Sequence, residues 1–541
     1  MAAAARGLAR VLYRSVRAHA PRSIGALCIA VALQLTLLGT ALASFVFTPK
    51  SVKAGALATA SLVKPTGLET ANGGCSGGSG QTNVSATWTA SAEKPDANGN
   101  AMINGYKLWR STSSKGVYSE VGNTGIATSF TDVNPSGAEV PQVFVGNGSA
   151  TKTVHAVNTS TNAGTSITTG TIGIEPNDMA VTPEGTNVVL AEGASSQVQI
   201  VSVASDAVAK TVAIPKVGVT VSRPDAVAIT PNGKTAYIVD GANDLVYPIT
   251  ISSGARGTGI AVGAQGDPGA IVVTPNEEQV YVANYGSHNV SVITTLSKTV
   301  TATVPIGAGE TGKPIALAVT PSSADVYVAD QGNGQIDDIA TSTDTVAHTI
   351  AVGSMADANV AGGGDPNILA ITPEGSKLYV ASYTGGHVAD IATSTDAVTS
   401  TIALPGTTPT PNALALTPNG CQLYVHDHAN NQVDAVTVSS DEVAASPAVG
   451  TGGDPTGMSV TPDSMHVYVA NHNANSVSVI ATATNTVSAT LAEGTVGKEP
   501  YAVLATPSVY YYELQAGHGG WQSALSAAVP YELGWEQGGW Q

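Results

Sequence analysis

The chain has 541 residues, with 22 Lys and Arg against 39 Asp and Glu and a formal net charge of −17. Only 11% of residues are charged, yet 43% are hydrophobic, a balance that excludes a disordered chain. So few cations on an acidic chain also exclude a nucleic-acid binder, whose affinity rests on neutralising phosphates. In chain order, Arg6, Arg10, Arg14, Arg17 and Arg22 precede an uncharged run from Ile24 to Phe47. Ala41-Leu42-Ala43 forms a small-x-small cleavage site near the end of that run. Residues 1–47 are expected to be a signal peptide or an uncleaved signal anchor, an N-terminal hydrophobic helix that gives the chain its sole membrane contact. Export to the cell envelope or the exterior follows from either reading.

Residues 62–136 carry short alternating segments separated by turn chemistry such as Asp96-Ala97-Asn98-Gly99-Asn100. The strands expected here are "KPTGLETA", "NVSATWTASA" with Trp88, "GYKLWRS", "GVYSEVG" and "TSFTDV". This stretch resembles the first five strands of a fibronectin type III domain. The sixth, expected to open on a tyrosine, is absent from the next residues. It is found instead at "VYYYELQAG", where Tyr510, Tyr512, Leu514 and Ala516 share one face at period two. "WQSALSAAV" is the expected last strand. The resemblance therefore implies a split sandwich, 62–136 and 508–530, followed by a mobile tail over 531–541, with Tyr510 as the corner tyrosine.

Between the halves lies a repeat. Thr-Pro steps recur at Thr182, Thr230, Thr274, Thr320, Thr372, Thr417, Thr461 and Thr506, each six residues after another proline. The spacing of 44 to 52 residues is that of a propeller blade or a solenoid unit. Each unit reads as four short strands: an Ala/Val/Leu/Ile segment, a "VYVAN" segment after the Thr-Pro turn, and two more. Such units bury their faces only when stacked around an axis. "YVANYGSHNVSVI" and "YVANHNANSVSVI" resemble the YVTN-type β-propeller repeat, and that resemblance covers 139–507. The segment from Gln142 lacks an innermost strand, whereas the last Thr-Pro step has no blade after it. Pairing the two gives an all-β, eight-bladed β-propeller inserted between the fifth and sixth strands of the sandwich. Seven blades, the usual form of the family, is the alternative. Tyr281, Tyr327, Tyr379 and their equivalents are expected to pack between blades. Cys75 and Cys421 are expected as free thiols, with a disulfide open in an oxidising compartment.

No nucleophile elbow, phosphate loop, His-Glu-x-x-His or Cys-x-x-Cys occurs. His426 and His428, two apart on a strand, share a face and with a third ligand could chelate a metal. The residue ending each second strand forms a second set: Glu192, Asp240, Asn284, Asp330, Ser382, Asp427 and Asn471. Channel-mouth candidates are therefore Asp240, Asn284, Asp330, His426, Asp427, His428, Asn471 and His472, with Asp267, Asp365 and Asp454 on the same face. Against them stands the ordinary habit of Asn and Asp to cap their own turns. The insert has no tryptophan to stack on a quinone, so a quinoprotein is not expected. The expected function is a non-catalytic exported binding or scaffold protein without cofactor, whose partner is a protein or a cell-envelope polysaccharide. The alternative is a lactonase-like propeller enzyme with a site at the channel mouth, which requires polar groups converging there.

Overall fold

The computed structural model describes residues 66–72, 83–89, 105–111, 119–123, 129–133, 142–148, 153–169, 177–307, 311–353, 368–450, 455–518, 521–522 and 529–533. All belong to one compact unit, Ser61–Gln541. The expected leader helix, Cys75, Asp365, Asp454 and the tail after 533 lie outside these residues.

Eight antiparallel sheets stand around one axis, seven of four strands and one of five, whose outermost position is shared by the short strands Ala255–Arg256 and Ile260–Ala261. Seven are continuous in sequence, with innermost strands Asp178–Val181, Pro224–Ile229, Pro268–Val273, Pro314–Val319, Leu369–Ile371, Pro411–Leu416 and Pro455–Val460. These are the second to eighth blades. The first blade is assembled from both ends of the array: Pro500–Ala505 is its innermost strand, followed outward by Gln142–Asn147, Thr153–Asn158 and Gly164–Thr168. Each innermost strand touches its neighbour on either side, and Pro500–Ala505 touches both Pro455–Val460 and Asp178–Val181. The ring is closed, and it has eight blades rather than seven.

The repeated Thr-Pro step has a definite job. In every blade the threonine hydroxyl accepts the N–H of the residue that opens the second strand, as in Thr230 Oγ1 with Thr235 N at 3.1 Å and Thr461 Oγ1 with His466 N at 3.0 Å. Proline sets φ for the turn and the fourth residue takes the left-handed region, Gly233 at φ +67 and Gly420 at φ +70. The proline six residues earlier enters its strand at a bulge: Pro224 lies opposite Asp240 and the register then shifts before Ala226. A residue without an N–H is tolerated at such a bulge, where the ladder is interrupted.

Second strands are buried along nearly their whole length, because neighbouring blades cover both faces; outermost strands alternate between exposed and covered positions. The tyrosines fill the seam between blades. Tyr281 packs in one cluster with Val326, Val328 and Ile339 of the next blade. Its hydroxyl donates to Asp344 of that blade at 2.7 Å, and Tyr327, Tyr379 and Tyr424 reach Asp396, Asp441 and Asn485 in the same way at 2.8, 2.9 and 2.6 Å. Each acceptor sits in a turn at positive φ, a conformation that Asp and Asn tolerate better than other side chains.

Outside the ring are two further sheets. One pairs Thr66–Asn72, Asn83–Thr89 and Ser129–Val133; the other is built on Gly105–Ser111, which pairs with Ser119–Asn123 and with Ser508–His518. Strands from before and after the propeller thus share a sheet. The last strand differs from expectation. Within "WQSALSAAV" Trp521–Gln522 makes only a short pairing, and Val529–Leu533 supplies the partner for Ser508–Tyr512. The residues 531–533 assigned to a tail are therefore strand. Cys421 is also not the free thiol expected: it is disulfide-bonded.

Candidate functional site at the channel mouth

The residue ending each second strand repeats eight times, as Asn147, Glu192, Asp240, Asn284, Asp330, Ser382, Asp427 and Asn471, and every copy is buried. The carboxylates hold the loop that enters their own blade. Asp240, Asp330 and Asp427 accept the N–H of the residue before the repeat proline: Arg223 at 2.9 Å, Lys313 at 2.7 Å and Thr410 at 2.9 Å. The second oxygen takes an asparagine from the following turn, Asn243, Asn333 or Asn430. The amides point outward along the blade instead, Asn284 to Ser291 at 2.9 Å and Asn471 to Ser478 at 2.9 Å. Asp240, Asp330 and Asp427 have both oxygens engaged in their own blades and join no metal-ligand cluster among the described residues, whereas Asn284 Oδ1 and Asn471 Oδ1 are buried without a hydrogen-bond partner. Burial pushes Glu192 up to about 7, against hydrogen bonds from Ser195, Thr169 and Gln199.

His426 and His428 do come together. Strand periodicity puts them on one side of Gln422–Asp427 and its extension, with ring centroids 6.3 Å apart in an edge-to-face arrangement. Asp427 between them points the other way, into its loop. His426 is buried, and its Nδ1 is bonded to the side-chain oxygen of Asn412 on the innermost strand. That contact makes Nδ1 the protonated nitrogen, since an amide oxygen only accepts. Nε2 then keeps its lone pair, and it has no hydrogen-bond partner. Burial, with the charge of His428 adding, pushes His426 down to about 3, so the ring is neutral at physiological pH. No third His, Cys or carboxylate among the described residues joins these two in a metal-ligand cluster.

Asn412 follows its repeat proline directly, a position that is polar in some blades and apolar in others, such as Ile315. Its equivalents include Asn177, Asp225 and Tyr501. Asn177 Nδ2 donates to Asp225 across the seam between blades at 2.8 Å. Asp225 also pairs with Arg223 at 2.8 Å, which in turn reaches Asp267 at 3.2 Å. Burial pushes Asp225 up to about 6, despite Arg223 beside it. Tyr501 sets its ring 6.4 Å from that of His472. Sequence reading found the histidines but missed Asn412, Asn177 and Asp225. The signal was available, because the residue after each proline alternates onto one face of the innermost strand. A cleft of about 510 Å³ lined by Pro248, Gly259, Ile260, Lys298 and Val300 lies on the outer strands of the third blade and the turn of the fourth, not at the mouth.

A family described as "Lactonase, 7-bladed beta-propeller" matches residues 392–501. The match spans the whole seventh and eighth blades, and includes Asn412, His426, His428, His472 and Tyr501. No curated protein matches the chain in sequence. Among solved structures, hydrazine synthase of Kuenenia stuttgartiensis is similar at TM-score 0.45 and 19% identity, over 57% of this chain and 96% of that one. Dihydro-heme d1 dehydrogenase NirN, in complex with DHE, gives TM-score 0.48 and 13% identity, over 66% and 75%. A streptogramin B lyase gives 0.40 and 11%, over 54% and 92%. At these values no structural likeness bears on chemistry. The family match does, and it corrects the expectation of a non-catalytic protein: it points to an enzymatic propeller. Sequence reading held a lactonase-like enzyme only as the alternative, because no local catalytic motif accompanies His426-Asp427-His428.

Proposed function

We propose that this chain is a lactonase-like hydrolase whose site is the channel mouth at the seventh and eighth blades. One observation carries the reading: the segment that matches the lactonase family is the segment that brings Asn412, His426 and His428 together. Hydrolysis of a lactone needs a water, a base and a donor for the developing oxyanion. His428, half-buried beside the fully buried His426, is assigned as the base. It takes a proton from water as the water oxygen attacks the carbonyl carbon. The ring C–O bond then breaks, and the proton passes to the departing alkoxide, giving a hydroxy acid. His426 is too weak a base to share that role, having been pushed down to about 3. His426, whose Nε2 is buried without a hydrogen-bond partner, is assigned to position the His428 ring against its edge, with its own tautomer fixed by Asn412. His472 and Tyr501 flank the entrance.

The test is acid release, followed by pH-stat, from a panel of five- and six-membered aliphatic and aromatic lactones with the full chain. Turnover of at least one class supports the reading. A panel without turnover above the buffer rate overturns it.

Three finer readings belong with this proposal. The repeat is read as YVTN-type. The two outer sheets are read as the halves of one fibronectin type III-like sandwich, supported by the pairing of Gly105–Ser111 with Ser508–His518. The chain is read as exported, which puts its substrate outside the cytoplasm or in the envelope. Signal-peptide processing, read by mass of the mature protein, tests the last.

A further inference from the structure

At one seam between blades, an internal cation already sits where the fold collects carboxylates. Lys377 opens the second strand of the sixth blade, and its ammonium lies 3.0 Å from Asp390 and 2.9 Å from Asp441. Asp390 is on the third strand of the same blade, and Asp441 is the turn residue of the next blade that accepts Tyr379. The preceding seam repeats this arrangement position by position. Tyr327 replaces Tyr379, Asp338 replaces Asp390 and Asp396 replaces Asp441. Where Lys377 supplies the positive charge, however, this seam has Asp325. A third carboxylate thus stands in the register position of the lysine. The outermost strand adds His348, paired across from Asp338 where the sixth blade has Ser400.

We propose that Asp338, His348 and Asp396 bind a divalent transition-metal cation, which takes the place that the Lys377 ammonium fills one seam further on. The ligand atoms of these three residues all lie within 4.8 Å of one another. His348 Nδ1 is 2.9 Å from Asp396 Oδ2 and 3.4 Å from Asp338 Oδ2. Asp338 is only 3% exposed, yet its Oδ1 has no hydrogen-bond partner. A buried carboxylate oxygen without a donor is costly unless a cation takes it. Tyr327 donates to Asp396 Oδ1 at 2.8 Å and so orients the other oxygen, as the outer hydrogen bonds of metal-bound carboxylates do. The His348 side chain is 62% exposed, which gives an entry path and room for water ligands. One imidazole and two carboxylates suit Zn²⁺ or Mn²⁺ better than Ca²⁺, which prefers six or more oxygens.

The site lies on the outer strands and is independent of the hydrolase reading. Its test is direct binding of Zn²⁺, Mn²⁺ and Ca²⁺ to the chelator-treated full chain, by calorimetry and by metal content after dialysis. The expected result is one equivalent of Zn²⁺ or Mn²⁺ at this site, lost in H348A and in D325K. D325K supplies the ammonium that Lys377 supplies in the sixth blade. It should raise the melting temperature of the metal-free protein and abolish the further rise caused by metal. Equal binding by the wild type and both variants would place the metal elsewhere and overturn the proposal. So would a wild type that retains neither Zn²⁺ nor Mn²⁺.

Discussion

The backbone N–H of Gln142 donates to the hydroxyl of Thr506 at 3.0 Å, although 364 residues separate them. It is the same bond that Thr461 makes to His466 within one blade. The ring therefore closes with its ordinary turn chemistry, and no special latch is needed. A substitution that removes this bond should cost what it costs in any other blade. Thr506→Val and Thr461→Val are each expected to lose about 1–3 kcal/mol, because the hydroxyl that accepts this N–H also donates, to Gln142 O in the first case and to Asp463 and His466 O in the second. Urea denaturation of the two variants checks it. A Thr506 variant as stable as the wild type would mean that the first blade is not held this way.

The buried acids that end the second strands brace loops. Asp330→Ala leaves the Lys313 N–H, the Gly332 N–H and the Asn333 amide without their acceptor. A loss of about 2–3 kcal/mol is expected, since buried donors are stranded. Lactone hydrolysis per folded molecule should stay unchanged. A variant with full stability and reduced turnover would return Asp330 to the channel mouth.

Two buried groups give the fold opposite pH responses. Glu192 is pushed up to about 7 in the folded state from an ordinary 4.5, so the native protein binds the extra proton between those values. Stability then falls as pH rises from about 4.5 to about 7. Glu192→Gln should be more stable than the wild type at pH 8 by about 1–3 kcal/mol, and the gain should vanish near pH 5. His426 runs the other way. It is pushed down to about 3 from 6.5, so the unfolded chain binds the extra proton between them and stability falls as pH drops through that window. His426→Gln should flatten this acid limb. Melting temperatures at pH 4, 5, 6, 7 and 8 for the three proteins separate the two effects.

Much of the architecture was legible because the repeat states it eight times. The Thr-Pro step, the proline six residues earlier and the tyrosine each mark one structural job. The unmatched strands at Gln142 and Thr506 pointed to a closed ring of eight. What stayed hidden depends on pairings between blades. Tyr327 meets Asp396 across 69 positions, and Asp338 meets His348 through a bulged register that spacing alone does not reveal. The acids of the second strands looked like a ligand ring because their period matches the blades. Their side chains are taken by N–H groups that no sequence pattern displays, such as those of Lys313 and Thr410. Asn412 was passed over because it is one asparagine among many; only its contact with His426 sets it apart.

The most direct measurement is the rate of lactone hydrolysis by the wild type, His428→Gln and His472→Gln, with circular dichroism showing that all three are folded. If His428 is the base, its variant should lose about 100-fold or more in kcat, the usual contribution of a general base. His472→Gln, at the entrance, should change KM with kcat within a few fold. An unchanged kcat in His428→Gln, on a lactone that the wild type hydrolyses, would contradict the assignment of the site.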